Sequence, residues 1–176
     1  MNLLKNLAEL FDSIVIYIFK YLDKQQYAKI TDNIYLGNLT CVHNIEFLKK
    51  NKISVVVNCS KTIPFQNQLN NIVNYRVDIN DDLSHGYVVS LIPYIIRLVP
   101  ILINHIDKGQ RILIHCRAGM QRSASVVAAV LMKKYKLNKS EAISRIQSKR
   151  NIAFRPFPHF GIALDVYQNY LHSHPN

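Results

Sequence analysis

Apolar and polar positions change period along this chain, and each period predicts an element. Residues 3–22 place Leu3, Leu7, Leu10, Phe11, Ile14, Val15 and Ile18 at helical spacing, which predicts an amphipathic helix. Lys5, Glu9, Asp12 and Lys20 interrupt it, so its uncharged run (residues 13–19) falls well short of the roughly 20 residues a spanning helix needs. Its stripe is expected first to pack on the chain's own core, then to join two copies, and last to dock on a membrane surface. Beyond polar residues 23–26, residues 29–38 read as two short strands around Asp32-Asn33, a hairpin signal. Residues 41–51, with Ile45, Phe47 and Leu48, predict a short helix. The β-branched run at 53–58 predicts a buried central strand, and residues 72–79 a further one.

The second half continues the alternation. Residues 87–106 are apolar and long enough for a helix, but Pro93 and Pro100 predict a kink or a late start at Pro93. Ile112-Leu113-Ile114 is the last buried strand. Residues 123–135 form a helix with Val126, Val127, Val130 and Leu131 inward. Residues 138–149 form another, opened by the capping-box spacing of Asn138-Lys139-Ser140-Glu141, and residues 157–171 the last. Strands alternating with helices predict a single α/β domain with a largely parallel central sheet and helices on both faces. No repeat or linker divides it.

Composition then narrows the class. A chain of 176 residues that is 49% hydrophobic and 19% charged is an ordinary globular domain with room for a core. The net charge of +11 favours anionic partners: phosphorylated protein, nucleic acid or an acidic surface. Three cysteines without a CxxC pair or metal spacing disfavour disulfides and zinc, and predict a reducing, cytoplasmic setting without a signal peptide. Cys59 reads as a small core residue and Cys41 as a partly buried helix residue. Tyr75 and Arg76 read as alternating strand residues. Lys133, Lys134 and Lys136 read as a solvated helix end, and His172-Ser173-His174 as a frayed tail.

The chemistry concentrates in Arg-Ile-Leu-Ile-His-Cys-Arg-Ala-Gly-Met-Gln-Arg-Ser-Ala-Ser, residues 111–125. A strand that runs through a tight loop into a helix start supplies backbone N–H groups and the positive end of a helix dipole, both suited to a phosphate. Arg117, Ala118, Gly119, Met120, Gln121 and Arg122 would wrap the dianion, with Gly119 permitting the turn and Arg122 offering a planar fork to two oxygens. The same positive field would lower the thiol pKa of Cys116 below about 8.5 and make it a nucleophile. His115 would order the loop rather than act as acid or base, and the Ser123 hydroxyl would steady the sulfur as a leaving group. A leaving oxygen also needs a proton. Asp81 or Asp82, following the 72–79 strand at the same sheet edge, would provide it, with Asp81 preferred.

His115-Cys116-Arg117-Ala118-Gly119-Met120-Gln121-Arg122-Ser123 resembles the HCxxGxxRS signature of cysteine-dependent protein tyrosine phosphatases. The continuation SASVVAAVLMKK resembles the dual-specificity branch in particular. Asn33-Ile34-Tyr35-Leu36-Gly37-Asn38 is similar to the opening of that branch, and Val77-Asp78-Ile79-Asn80-Asp81 to its I-P-x-x-D segment. Residues 150–156 are similar to its R-P-x-x-x-P element. The resemblance covers about residues 30–171 and implies a dual-specificity phosphatase fold, with a catalytic domain at residues 27–172 after the helix of residues 1–24.

It further implies hydrolysis of phosphotyrosine and of phosphoserine or phosphothreonine without metal or cofactor. Cys116 attacks, Asp81 protonates the leaving hydroxyl, and water resolves the phosphocysteine. Small viral members of poxvirus type open with a helix exchanged between subunits, which implies a homodimer through residues 1–24 and a place in a host cell or virion. Departures include Gln121 where Ser or Asn is common, Asn151 where Pro follows the arginine, Phe157 where Asn is common, and a longer gap between Asp81 and Cys116. An RNA 5′-phosphatase ranks second, since relatives of that kind carry HCTHGxNRTG, which Arg117-Ala118 and Ser123 do not match. A phosphoinositide phosphatase would place lysines in the loop, and a phosphate-binding pseudophosphatase would have lost Cys116, Arg122 or the acid.

Overall fold

The computed structural model describes residues 14, 25–65, 71–79 and 85–175. The expected N-terminal helix, apart from Ile14, and the segment holding Asp81 and Asp82 therefore lie outside the described residues. The hairpin expected around Asp32-Asn33 is present. Strands β1 (Tyr27–Lys29) and β2 (Ile34–Gly37) pair antiparallel, and the Thr31 hydroxyl closes the turn by accepting from Asn33 N (3.3 Å) and Ile34 N (3.1 Å).

The helix expected over residues 41–51 is two helices, α1 (Leu39–His43) and α2 (Ile45–Lys50). Asn44 divides them: its backbone is extended, and its side chain accepts from Phe47 N at 2.9 Å as the cap of α2. Asparagine is stabler capping a helix than continuing one. Cys41, expected to be partly exposed, is wholly buried beneath α1, and burial pushes its thiol up to about 12.

Strands β3 (Ile53–Asn58), β4 (Val73–Arg76) and β5 (Arg111–His115) complete a five-stranded sheet in the order β1-β2-β5-β3-β4. All pairings except β1 with β2 are parallel. β5 lies in the middle, β3 is a buried interior strand as expected, and the strand expected over residues 72–79 pairs only as far as Arg76. Side chains alternate across the sheet as a two-residue period requires. Ile34, Leu36, Val55, Val57, Ile112 and Ile114 enter the larger core, while Tyr35, Val56 and Leu113 face α1 and α2. Ile53 breaks that parity, sitting with Val56 rather than Val55; a register irregularity between Ile53 and Val55 accounts for it.

Helices α3 (His85–Asp107), α4 (Arg122–Tyr135), α5 (Lys139–Gln147) and α6 (Gly161–Ser173) cover the larger face. α3 begins before Pro93 and runs through both prolines instead of starting late. Pro93, Arg97, Pro100, Ile101 and Asn104 lie on its exposed side, where carbonyls lacking a helical partner can reach water, while Leu91, Ile95, Val99 and Leu102 are buried. Among the described residues this helix alone is long and apolar enough to cross a membrane; it packs on β5, α4 and α6.

α4 has more than the expected inner face, for residues 122–132 are buried on every side between the sheet and its neighbouring helices. The capping box of α5 forms as expected: Asn138 Oδ1 accepts from Glu141 N at 2.9 Å, and Glu141 Oε2 accepts from Asn138 N at 2.8 Å. α6 starts at Gly161 rather than residue 157, because Pro158 disfavours helical backbone at the residue before it. Its end is tied rather than frayed, with His174 N donating to Tyr170 O at 3.0 Å and the two rings stacked 4.3 Å apart.

The parallel register brings Gly37, His115, Asn58 and Arg76 into one row at the carboxyl edge of the sheet. In open α/β sheets that edge is where ligands bind.

Candidate active site

Residues 116–121 leave β5 at that edge and lead directly into α4. Cys116 is buried, and its sulfur accepts two hydrogen bonds, from the Gly119 N–H at 3.2 Å and from the Ser123 hydroxyl at 3.2 Å. Donors aimed at a sulfur favour its thiolate over its thiol. Both partners lie within the stretch expected to serve Cys116.

The loop's shape follows from where its carbonyls go. Arg117 O accepts from Leu39 N (3.1 Å), Ala118 O from Arg150 Nη2 (3.0 Å), and Gly119 O from Arg150 Nε (2.9 Å). Met120 O accepts from Phe154 N (2.8 Å), and Gln121 O from Ser125 N and the Ser125 hydroxyl, both at 2.9 Å. Each carbonyl is thus held outward by the scaffold. In a trans peptide the N–H points opposite to the C=O, so the amides of residues 118–122 turn to the inner side, where an anion would sit. This cradle spans residues 117–122, where the sequence predicts a phosphate loop, and it opens at the positive end of α4.

Two residues behind the cradle, Arg150 and Gly37, lay within stretches that resemble the family but had no role assigned from the sequence. Arg150 is fully buried and also donates from Nη1 to Gln25 O at 2.7 Å, joining the start of β1 to the loop. The resemblance singles it out as the arginine of residues 150–156, but what it holds is visible only in the fold. Gly37 ends β2 directly beneath the loop: a Cβ on Gly119 would lie 2.6 Å from Gly37 O, and Gly119 has φ +67. A Cβ on Gly37 would in turn lie 2.2 Å from the Cys41 sulfur. Only glycine fits at either position.

Arg122, the first residue of α4, is buried and donates to Ile79 O at 3.2 Å, across the loop from β5. Arg117 is exposed at the lip. His115 is buried, its carbonyl accepts from Cys59 N at 2.7 Å, and burial lowers its ring pKa to about 4. The ring is therefore neutral at pH 7. Cys59 is fully buried and its thiol is pushed well above the ordinary range by loss of solvent. Arg76 reaches back to Ser60 O, and to Ile63 O at 3.0 Å, so it fastens the loop after β3, while Tyr75 bonds His105 at 2.9 Å. Among the described residues no cluster of His, Cys, Asp or Glu could hold a metal ion.

Gln121 makes contacts its position in the loop did not announce. Its amide donates to Arg155 O (2.9 Å) and Phe157 O (3.0 Å) and accepts from His159 N (3.1 Å).

Comparison with known proteins agrees with this geometry. Residues 34–169 match the family model for the dual specificity phosphatase catalytic domain. A relative from Amsacta moorei entomopoxvirus, named "Putative tyrosine-protein phosphatase AMV078", is 35% identical over 147 residues, covering 81% of this chain and 87% of its own. The protein phosphatase Slingshot homolog of Xenopus laevis is 30% identical over 169 residues, 96% of this chain but 23% of that much longer protein. In fold, the crystal structure of human DUSP28 superimposes with a TM-score of 0.74 at 24% identity, over 85% of this chain and 97% of that one. The signature loop, the sheet that carries it and these similarities converge: the chain belongs to the dual-specificity phosphatase catalytic-domain family and is a phosphatase.

Proposed function

We propose that this chain removes phosphate from tyrosine and from serine or threonine side chains of proteins through a phosphocysteine intermediate. The observation that carries the reading is the convergence of the Gly119 N–H and the Ser123 hydroxyl on the Cys116 sulfur inside a loop whose amides turn inward. In the first step the Cys116 thiolate attacks phosphorus and the P–O bond to the substrate breaks. Asp81 gives its proton to the departing oxygen. In the second, water attacks the phosphocysteine, Asp81 takes a proton from it, and the thiolate leaves, steadied by Ser123. Arg122 and the inward amides hold the equatorial oxygens as charge redistributes.

The support for Asp81 is positional. Ile79, whose carbonyl meets Arg122, precedes Asp81 by two residues, a reach of about 7 Å at most by covalent geometry. Asp82 is the alternative.

Replacing Cys116 by Ser is expected to abolish aryl phosphate turnover while circular dichroism stays that of the folded protein. Asp81→Asn should slow turnover by 10²- to 10⁴-fold, the usual range for a lost general acid, and remove one limb of the pH profile. If Asp82→Asn alone does this, the acid is Asp82. A panel of phosphotyrosyl peptide, phosphothreonyl peptide, triphosphorylated RNA and phosphoinositide decides the substrate class. Faster turnover of RNA or lipid than of either peptide would overturn the protein phosphatase reading.

A further inference from the structure

Gln121 is the last residue before α4, only 8% exposed, and its side chain points away from the phosphate cradle into residues 155–159. A primary amide offers two donor hydrogens and an accepting oxygen, and here both ends are used on backbone atoms of that one segment. Phe154 N, bonded to Met120 O at 2.8 Å, adds a further tie beside it. The segment is stiff in itself, since Pro156 and Pro158 flank Phe157 and fix their own φ angles.

What this held segment presents is an aromatic face. Phe157 is 48% exposed although its backbone is anchored, and its ring lies against His159 with centroids 4.3 Å apart. Among the described residues it is the one exposed phenylalanine. Because Phe157 O is 3.0 Å from the Gln121 amide, the backbone of Phe157 lies one glutamine side chain away from the end of the phosphate loop. Immobilised aromatic side chains make effective contact surfaces, because little conformational freedom is left to lose when a partner binds.

We propose that Phe157, held by Gln121, is a specificity-determining surface beside the active site, and that it selects phosphopeptides with an apolar or aromatic residue next to the phosphorylated one. Gln121 is then a positioning residue that acts through Phe157. The inference rests on the protein phosphatase reading and names the substrate feature that reading leaves open.

Two pairs of phosphotyrosyl peptides test it, one pair varying the residue before the phosphotyrosine and one the residue after, each as Leu against Ser. Wild-type protein is expected to prefer Leu in at least one pair by about fivefold to tenfold in kcat/KM, mainly through KM, as for an interface side chain of ordinary importance. Phe157→Ala should erase that preference and lower peptide kcat/KM several-fold more than that for p-nitrophenyl phosphate. Gln121→Ala should lower it in the same way, and the double variant should be little worse on peptide KM than either single one, because both act on one surface. Should Gln121→Ala fail to fold, the exposed Phe157→Ala variant still decides the matter. Equal turnover of all four peptides by wild type, or a preference that survives Phe157→Ala, overturns the inference alone. If wild type hydrolyses p-nitrophenyl phosphate but none of the peptides, the protein phosphatase reading falls, and this inference with it.

Discussion

Arg150 shows how a single residue can govern a site it does not enter. Its guanidinium donates to Ala118 O, Gly119 O and Gln25 O from a fully buried position, and the first two of these bonds fix peptide planes of the cradle. Arg150→Met should destabilise the fold by about 3 kcal/mol, since buried carbonyls lose charge-assisted bonds, and urea midpoints measure this. It should also slow turnover far more than it raises KM, because the amides would no longer be held where charge develops. His115 makes a second prediction. Its pKa falls from the ordinary 6.5 to about 4 because burial penalises the imidazolium, so the unfolded chain binds a proton that the folded chain refuses between those values. Stability from this group is whole above pH 6.5 and is lost as pH falls towards 4, by about 3 kcal/mol at the outside. A His115→Gln variant should show a flatter decline of stability over that window, and an unchanged decline would assign the acid lability elsewhere.

Among the elements, α3 departs most from what its sequence implies. A proline inside a helix lacks the N–H for its helical partner and costs about 3 kcal/mol, yet Pro93 and Pro100 both lie within this one. They are tolerated because both stand on the exposed side, while Leu91, Ile95, Val99 and Leu102 bury the opposite side against the core. Pro100→Ala should therefore restore a backbone hydrogen bond without disturbing packing. Loss of proline's restraint on the unfolded chain opposes this by about 1 kcal/mol, which leaves a net gain of roughly 1–2 kcal/mol and a rise in Tm of about 2–6 °C by calorimetry. A fall in Tm would mean that the ring itself is packed. α4 needs no such concession. It is buried around its circumference through Met132, so its small residues Ala124, Ala128 and Ala129 admit its neighbours closely, while Arg122 and Ser123 at its start face the cradle.

At the scale of the whole molecule the site is an assembly of distant pieces: Leu39, Ser125, Arg150 and Phe154 each hold a carbonyl of one short loop, and Cys59 holds His115. The sheet order makes this possible by placing β5 at the centre, with the ends of β2 and β3 on either side of it. Much of this was legible beforehand. Alternation and β-branched runs located β2, β3 and β5, Asn138 and Glu141 announced the start of α5, and the spacing of Cys116, Gly119, Arg122 and Ser123 marked the cradle, because these signals depend only on neighbours along the chain. The break at Asn44, the passage of α3 through its prolines and the full burial of Cys41 were not legible, since each depends on which side the rest of the molecule covers. By itself, then, the sequence determined that the chain is a phosphatase and the class of its fold, for the signature loop with the strand before it and the helix after it occupies one continuous stretch whose local geometry is short-ranged. Only the tertiary structure decided that Arg150 and Gly37 shape the cradle and that Gln121 holds Phe157 beside it. Hydrogen bonds between residues far apart in the chain form where folding brings them together, and no local pattern encodes that meeting.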